Sequence, residues 1–264
     1  MCPKNYLKWS LCGLFLLVAG LARGESNVVK VDWSTGAVGE VPEAGEQNLY
    51  AILNAEAPNQ VALIDRSGVT VNPFPMVERA LYIRNAASAP GQKVPSTRVI
   101  WDFSSGDPAL KGVLTIEYFI HAEENKETLS GLTVVLAPQA ADQPPNAMLA
   151  DGAAAIVLTQ AFPVQLALPA SSMERIRCDR RSAINEVNVL RVEWDFTGSE
   201  PGITLTLNNE PVRTDREGEN AEWAPEKFPL ASPAAPGIGA IMIMPRSSGA
   251  STYSLGAITF ESLP

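Results

Sequence analysis

Hydrophobic and polar residues alternate with a period of two along much of this chain. Residues 113–121 (VLTIEYFIH) put Leu, Ile, Tyr and Ile on one face and Thr, Glu, Phe and His on the other. Residues 203–209 (ITLTLNN) alternate in the same way, and residues 238–245 (IGAIMIMP) are apolar at nearly every position. A period of two predicts strands with one buried face, and a continuous apolar run predicts a strand buried on both faces.

Turn-forming residues separate these runs. Most of the 21 prolines and 19 glycines fall between the predicted strands, in segments such as residues 90–95 (PGQKVP). Only residues 170–177 show a pattern that favours a short helix. Strands that follow one another with few helices predict an antiparallel β-sandwich, here a single domain of about a dozen strands.

The first 24 residues are typical of a secretory signal peptide. Lys4 and Lys8 precede an apolar stretch from Leu11 to Ala22 that is shorter than the ~20 residues of a membrane-spanning helix. Small residues before Glu25 suit a signal peptidase, with cleavage after Gly24 or after Ala22. We therefore expect an exported protein, periplasmic or extracellular, whose folded domain covers residues 25–264.

Charge and apolar content exclude several classes of partner. Removal of Lys4, Lys8 and Arg23 takes the formal charge from −9 to −12, which disfavours binding to nucleic acid and to anionic membranes. No second long apolar run follows the signal peptide, so no membrane span is expected in the mature chain. Cys178 is the only cysteine left after cleavage, so we expect a buried thiol and no internal disulfide.

Few residues of this chain suit known catalytic or metal-binding arrangements. His121 is the only histidine, which disfavours Ser–His–Asp or Cys–His catalysis, a role as catalytic base, and a transition-metal site. Asp107, Asp142 and Asp151 fall in predicted loops and suit calcium, but no loop carries closely spaced acids. The sequence therefore predicts no cofactor, with calcium left open.

One phrase occurs twice in the chain. Residues 98–106 (RVIWDFSSG) and 191–199 (RVEWDFTGS) are identical at five of nine positions, and a sixth pairs Ser104 with Thr197. Each copy predicts a strand with Val, Trp and Phe facing the core and a charged outer face, followed by a turn and a second strand of a hairpin. The flanking sequences do not align. We therefore interpret the phrase as one structural solution used twice.

Three segments resemble a known superfamily. Residues 188–212 (NVLRVEWDFTGSEPGITLTLNNEPV) are similar to a strand, turn and strand that end in an Asn-containing turn in the concanavalin A-like sandwiches, especially the laminin-G-like jelly rolls. Residues 238–264 resemble the closing strands of that fold, and residues 72–85 (NPFPMVERALYIRN) resemble an early strand with a displayed Leu-Tyr pair. The resemblance implies a jelly-roll sandwich over most of residues 72–264.

The resemblance leaves function open, because the superfamily includes lectins, carbohydrate-binding modules, glycoside hydrolases, polysaccharide lyases and adhesive domains. Its retaining hydrolases carry two carboxylates on one strand, as E-x-D-x-x-E or E-x-D-x-E. Glu193 and Asp195 fit the first part of that pattern, but Thr197 and Gly198 stand where the second Glu is required. This departure argues against an enzyme.

We therefore predict an exported, non-catalytic sandwich that binds a glycan or another extracellular partner. Phe119 lies on the polar side of its strand and is the candidate stacking ring. The candidate ligand-binding residues are Arg98, Asp102, Glu117, Phe119, Arg191, Glu193 and Asp195. The alternatives are a glycan-active enzyme of the same fold and a structural or adhesive surface protein.

A purely structural interpretation of these residues is that Phe119 is covered by a loop and that the charges pair on a solvated face.

The tryptophans fall into two groups. Trp101 and Trp194 are assigned to the core. Trp33 and Trp223 lie in predicted loops, as exposed platforms or as plugs at an end of the sandwich.

Overall fold

A computed structural model describes residues 26–46, 49–86, 94–104, 107–122, 131–140, 145–159, 161–214, 227–230, 237–245 and 250–264. The predicted signal peptide, Asp142 and Trp223 lie outside these residues. The strands and the helix, in chain order, are β1 (Asn27–Val31), β2 (Leu49–Leu53), β3 (Gln60–Ile64), β4 (Ala80–Asn85), β5 (Arg98–Asp102), β6 (Lys111–Ile120), β7 (Gly131–Ala137), α1 (Pro145–Asp151), β8 (Ala154–Thr159), β9 (Gln165–Ala167), β10 (Ile176–Arg177), β11 (Val187–Asp195), β12 (Gly202–Leu207), β13 (Glu210–Pro211), β14 (Phe228–Pro229), β15 (Ala240–Pro245) and β16 (Ser251–Ser262).

The strands form two antiparallel sheets. Sheet A has nine strands, in the order β13-β12-β11-β6-β16-β4-β3, with β1 added beside β16 and β14 beside β12. Sheet B has seven strands, in the order β10-β9-β8-β7-β15-β5-β2. The predicted all-β sandwich is confirmed. Within the described part of the chain, no helix is long and apolar enough to cross a membrane.

The main core lies between the inner faces of the two sheets. The predicted alternation is confirmed in β6, where Leu114, Ile116, Tyr118 and Ile120 are all fully buried. The same holds for the apolar residues of β12, and the Asn208–Asn209 turn after it has φ values of 52° and 65°. Two positive φ values in a two-residue turn match the twist of the flanking strands, so asparagine suits these positions.

The tryptophans behave largely as expected. Trp101 and Trp194 are in the core, and Trp33 is 1% exposed, which makes it a plug and not an exposed platform. The Trp33 ring packs edge-on against Trp101 with ring centroids 5.5 Å apart, and its Nε1 donates to Gly256 O at 2.7 Å. Cys178, at 1% exposure, is buried as predicted.

The outer face of sheet B is covered. A second apolar cluster forms there from Ile100, Val135, Met242 and several alanines, with Met148 of α1 packed among them. Small side chains let α1 and the segment near Ala170 approach the sheet closely, and Ala170 N donates to Gly152 O at 3.0 Å. This face therefore has little open surface near these residues.

The helix expected at residues 170–177 is wrong. Ser172 N donates to Pro169 O, and Glu174 N donates to Ser172 Oγ at 3.2 Å, so a serine turn replaces the first helical turn. Ile176 then pairs with β9. The helix lies instead at α1, and it begins at Pro145, whose fixed φ suits the first turn of a helix.

The repeated phrase is divided between the two sheets. The second copy forms β11 and pairs with β12 as the predicted hairpin. The hairpin predicted for the first copy is wrong, because β5 pairs with β15 and β2 in sheet B, while β6 pairs with β11 and β16 in sheet A. The chain crosses between the sheets in the residues that join β5 to β6, and Ala109 forms a bridge with Ile238 on the way.

Both copies end in the same local turn. Asp102 Oδ1 accepts hydrogen bonds from Ser104 N at 3.1 Å and Ser104 Oγ at 2.9 Å. Asp195 Oδ1 accepts from Thr197 N at 2.9 Å and Thr197 Oγ1 at 2.7 Å. An aspartate whose carboxylate binds the backbone two residues later closes a strand and starts a turn. The interpretation of one structural solution used twice is therefore supported at atomic detail.

Candidate functional site

One row of side chains crosses the outer face of sheet A near one end. The pairing registers place Val187, Phe119, Ser254 and Tyr82 side by side on β11, β6, β16 and β4. Phe119 and Tyr82 thus flank Ser254, and both rings are half-buried. The sheet itself sets two aromatic rings on either side of one small polar residue.

His121 fills the space above that serine. Its Nε2 lies 2.8 Å from Ser254 Oγ, and its backbone N–H donates to Thr252 O at 3.1 Å. The imidazole centroid lies 4.7 Å from the Phe119 ring and 5.6 Å from the Tyr82 ring. Burial lowers the pKa of His121 to about 4, so the ring is neutral at pH 7. The result is an uncharged aromatic trio.

The segment between β3 and β4 forms a wall beside this trio. Phe74 and Val77 pack with Ile64 and Ala80, and Tyr82 and Phe119 pack against that cluster. Buried Asn72 braces the segment, because its Nδ2 donates to Val77 O and its Oδ1 accepts from Phe74 N, both at 2.9 Å. The wall is therefore tied to the sheet, and it leaves Val69 and Val71 exposed.

Together these groups line an open depression with a volume of about 530 Å³. The residues that line it are Val69, Thr70, Val71, Pro73, Tyr82, Phe119, His121, Ala122, Asn185 and Thr252. Asn185 has a φ of 56°, and its Oδ1 accepts from Ala122 N at 2.8 Å. That bond fixes the exposed carboxamide at the rim, with its Nδ2 as a hydrogen-bond donor.

Glu117, predicted to bind a ligand, has a structural partner. In β16, Leu255 faces Tyr118 and Ile258 faces Ile116, so Gly256 and Ala257 form a β-bulge opposite Glu117. Glu117 Oε2 accepts the hydrogen bond of Ala257 N at 3.2 Å. The carboxylate therefore satisfies a backbone N–H that the bulge removes from the strand pairing.

The charged residues of β11 lie farther along the same face. Arg191 pairs with Thr115, four residues along the strand from the Val187–Phe119 pair, which is about 13 Å. The Arg191 guanidinium forms an ion pair with Glu193 on the same strand, and both side chains are exposed. Asp195 is held by its turn, and hydrogen bonds from Thr197 lower its pKa. These contacts fit the structural interpretation, in which the charges pair on a solvated face. A ligand-binding role for Arg191, Glu193 and Asp195 stays a prediction.

Arg98 and Asp102 lie on the other sheet. Because β5 belongs to sheet B, these residues do not share a sheet face with Arg191, Glu193 and Asp195, so the seven predicted ligand-binding residues do not form one site. Asp102 also accepts from Ala140 N at 3.2 Å, which ties the end of β5 to the segment after β7. The face predicted to be charged carries the buried Ile100 between them.

Calcium binding gains no geometric support from the described residues. Asp107 and Asp151 are both exposed, and no group of three His, Cys, Asp or Glu side chains comes together in the described part of the chain. Calcium therefore stays an open possibility from the sequence alone.

Sequence reasoning found Phe119 but missed its partners. Tyr82 stood within the displayed Leu-Tyr pair, and His121 follows Phe119 by two residues on the same strand face. Their meeting depends on the pairing of strands that lie more than 100 residues apart in sequence, at Ser254. Asn185 gave no signal beyond its position in a loop.

Comparisons with known proteins give information on the fold. No family model matches the chain, and no curated protein sequence matches it. Among solved structures, an endo-β-1,4-glucuronan lyase from the fungus Trichoderma reesei has a TM-score of 0.53 at 7% identity, covering 91% of this chain and 95% of its own. A cellulose-induced protein has a TM-score of 0.50 at 11% identity, covering 89% and 97%. Peanut lectin has a TM-score of 0.47 at 10% identity, covering 90% and 97%.

The two antiparallel sheets agree with the predicted architecture. The chain is an antiparallel β-sandwich, as the resemblance implied, and it shares its fold with the glucuronan lyase and the cellulose-induced protein. At identities of 7% and 11%, the likeness concerns the fold alone.

Proposed function

We propose that this chain is an exported, non-catalytic protein that binds a glycan in the depression formed by Tyr82, Phe119, His121 and Asn185. The observation that carries the proposal is the aromatic trio of Tyr82, Phe119 and His121, whose rings line the depression beside the segment between β3 and β4. Binding sites for small molecules are concave and mostly apolar, with a few polar groups that fix orientation. A pyranose ring matches such a site, because it has an apolar C–H face and a rim of hydroxyls.

The known activities of proteins with this fold fit a glycan ligand. One structural neighbour is a glucuronan lyase, and another is a lectin. The fold by itself does not select the activity, so the proposal depends on the depression and not on the neighbours.

Binding is favoured over hydrolysis by the state of the carboxylates. A retaining glycosidase needs two carboxyl groups about 5 Å apart on either side of the scissile bond. Glu193 is paired with Arg191, Asp195 is engaged by Thr197, and Glu117 holds the bulge of β16. Among the described residues that line the depression, none carries a carboxylate.

A glycan array tests this function. The predicted mature chain from Glu25 contains every described residue and is applied with and without calcium. We expect hits that weaken by at least about tenfold in Tyr82→Ala and in Asn185→Ala, which lose an aromatic contact and a hydrogen-bond donor.

The matched control is the double variant Arg191→Ala/Glu193→Ala on the same sheet face. It removes an exposed ion pair about 13 Å along the strand, and we expect unchanged binding. Binding lost in this control and retained in Tyr82→Ala would move the site to β11. Absence of any glycan hit would reject the proposal.

A further inference from the structure

The lining of the depression contains polar groups but no formal charge in its described part. Its polar side-chain groups in the described residues are the Asn185 carboxamide, the Thr70, Tyr82 and Thr252 hydroxyls, and the His121 imidazole, which is neutral at pH 7. His121 Nδ1 makes no hydrogen bond with another described residue. Each of these groups can exchange hydrogen bonds with hydroxyls, and none can neutralise an anion.

An acidic sugar would bind weakly to such a lining. A carboxylate that loses water without a cationic partner is destabilised far more than a hydroxyl, which can form neutral hydrogen bonds. The chain also carries a formal charge of −9, which repels acidic polymers before contact. Both effects select against uronic acids and sialic acids.

Arg84 is a cation of the described residues that lies near the rim. Arg84 is exposed on β4 and faces Thr252, a residue of the lining, in the pairing of β4 with β16. Arg84 itself does not line the depression. Among the described residues, an acidic ligand could gain a counter-charge by reaching Arg84.

From these observations we infer that the ligand is an uncharged sugar, with its apolar face on the aromatic trio and its hydroxyls toward Asn185 and Thr70. This inference rests on the proposed function and narrows it to one class of glycan. The segment between β3 and β4 adds apolar contact through the exposed side chains of Val69 and Val71.

The test uses an array that contains matched pairs, in which a CH₂OH group is replaced by a carboxylate in the same oligosaccharide. The tightest hit and its carboxylated counterpart are then titrated calorimetrically. We expect the neutral member to bind at least about tenfold more tightly, because the described lining residues offer the carboxylate no counter-charge.

The variant Arg84→Gln separates the two classes of ligand. We expect it to leave binding of the neutral member within about twofold of the wild type, since Arg84 does not line the depression. Equal or tighter binding of carboxylated members, or loss of neutral binding in this variant, would overturn the inference while leaving glycan binding intact. Absence of any hit would reject the proposed function itself.

Discussion

At the scale of single residues, the site depends on a histidine that is kept neutral. His121 is held between two aromatic rings and against Ser254, where burial lowers its pKa to about 4 from the 6.5 of an exposed imidazole. A charged imidazolium at this place would lose hydration without gaining a carboxylate partner among the described lining residues. The low pKa thus links the site to the pH dependence of folding.

We predict that His121 makes the folded chain less stable as the pH falls from about 6.5 to about 4. The unfolded chain takes up a proton on this histidine near pH 6.5, whereas the folded chain does not until about pH 4. The stability that comes from this difference is fully present above pH 6.5 and lost progressively below it. Melting temperatures measured between pH 8 and pH 4 provide the check.

The control is His121→Gln, which cannot titrate in this range. We expect the melting temperature of the wild type to fall more steeply with pH than that of the variant. Two parallel profiles would show that the imidazole is not shielded as described.

Residue patterns that act locally were readable from the sequence. Asp102 and Asp195 each precede a hydroxyl-bearing residue by two positions, and the same spacing recurs at Asp65 and Ser67, where Ser67 N and Oγ both lie 2.8 Å from Asp65 Oδ1. Such turns need only three adjacent residues, so the repeated phrase could be explained without a duplicated site. The trio could not be read in this way, since its members meet only through strand pairing.

At the scale of elements, the β-bulge in β16 connects the site to the core. It is stabilised on both faces of the sheet, by Glu117 on the outer side and by the Trp33 indole on the inner side. Gly256 at the bulge leaves room for the Phe74 ring of the wall. Because Gly256 has no side chain, the wall can pack directly against β16 at this point.

We predict that Gly256→Ala destabilises the chain by about 1–3 kcal/mol. An added Cβ would lie 2.6 Å from Phe74 Cδ1 and 2.8 Å from Glu117 Oε2, both closer than packed atoms approach. Urea unfolding followed by tryptophan fluorescence measures the effect. The same variant should weaken glycan binding, because the wall must shift.

Gly198→Ala serves as the matched control, since the nearest atom to its added Cβ is 3.9 Å away. Its unfolding midpoint should stay close to that of the wild type. Equal midpoints for all three proteins would contradict the close packing at the bulge.

Elements were predicted well where one strand has one solvated face, as in β6 and β12, because alternation reports burial directly. The hairpin of β5 with β6 was wrong for a physical reason. Two alternating strands joined by a turn can pair in one sheet or face each other across a sandwich, and both arrangements bury the same residues. The sequence pattern does not separate these outcomes.

At the scale of the whole molecule, the two outer faces of the sandwich differ. Sheet B is covered near Ile100 and Met242 by α1 and neighbouring segments, whereas sheet A keeps an open depression beside its wall. The sequence predicted a charged outer face for both copies of the repeated phrase. Which face stays open is decided by long-range packing, and only the structure reveals it.

The central claim is that a glycan contacts the aromatic end of sheet A. The most direct measurement is a titration of ¹⁵N-labelled residues 25–264 with the tightest array hit, monitored by changes in the amide chemical shifts. The account predicts changes clustered at Tyr82, Phe119, His121, Asn185 and the wall residues 69–71, with little change at Arg191 or Asp102. Changes centred on β11 or on sheet B, with the aromatic end unaffected, would contradict it.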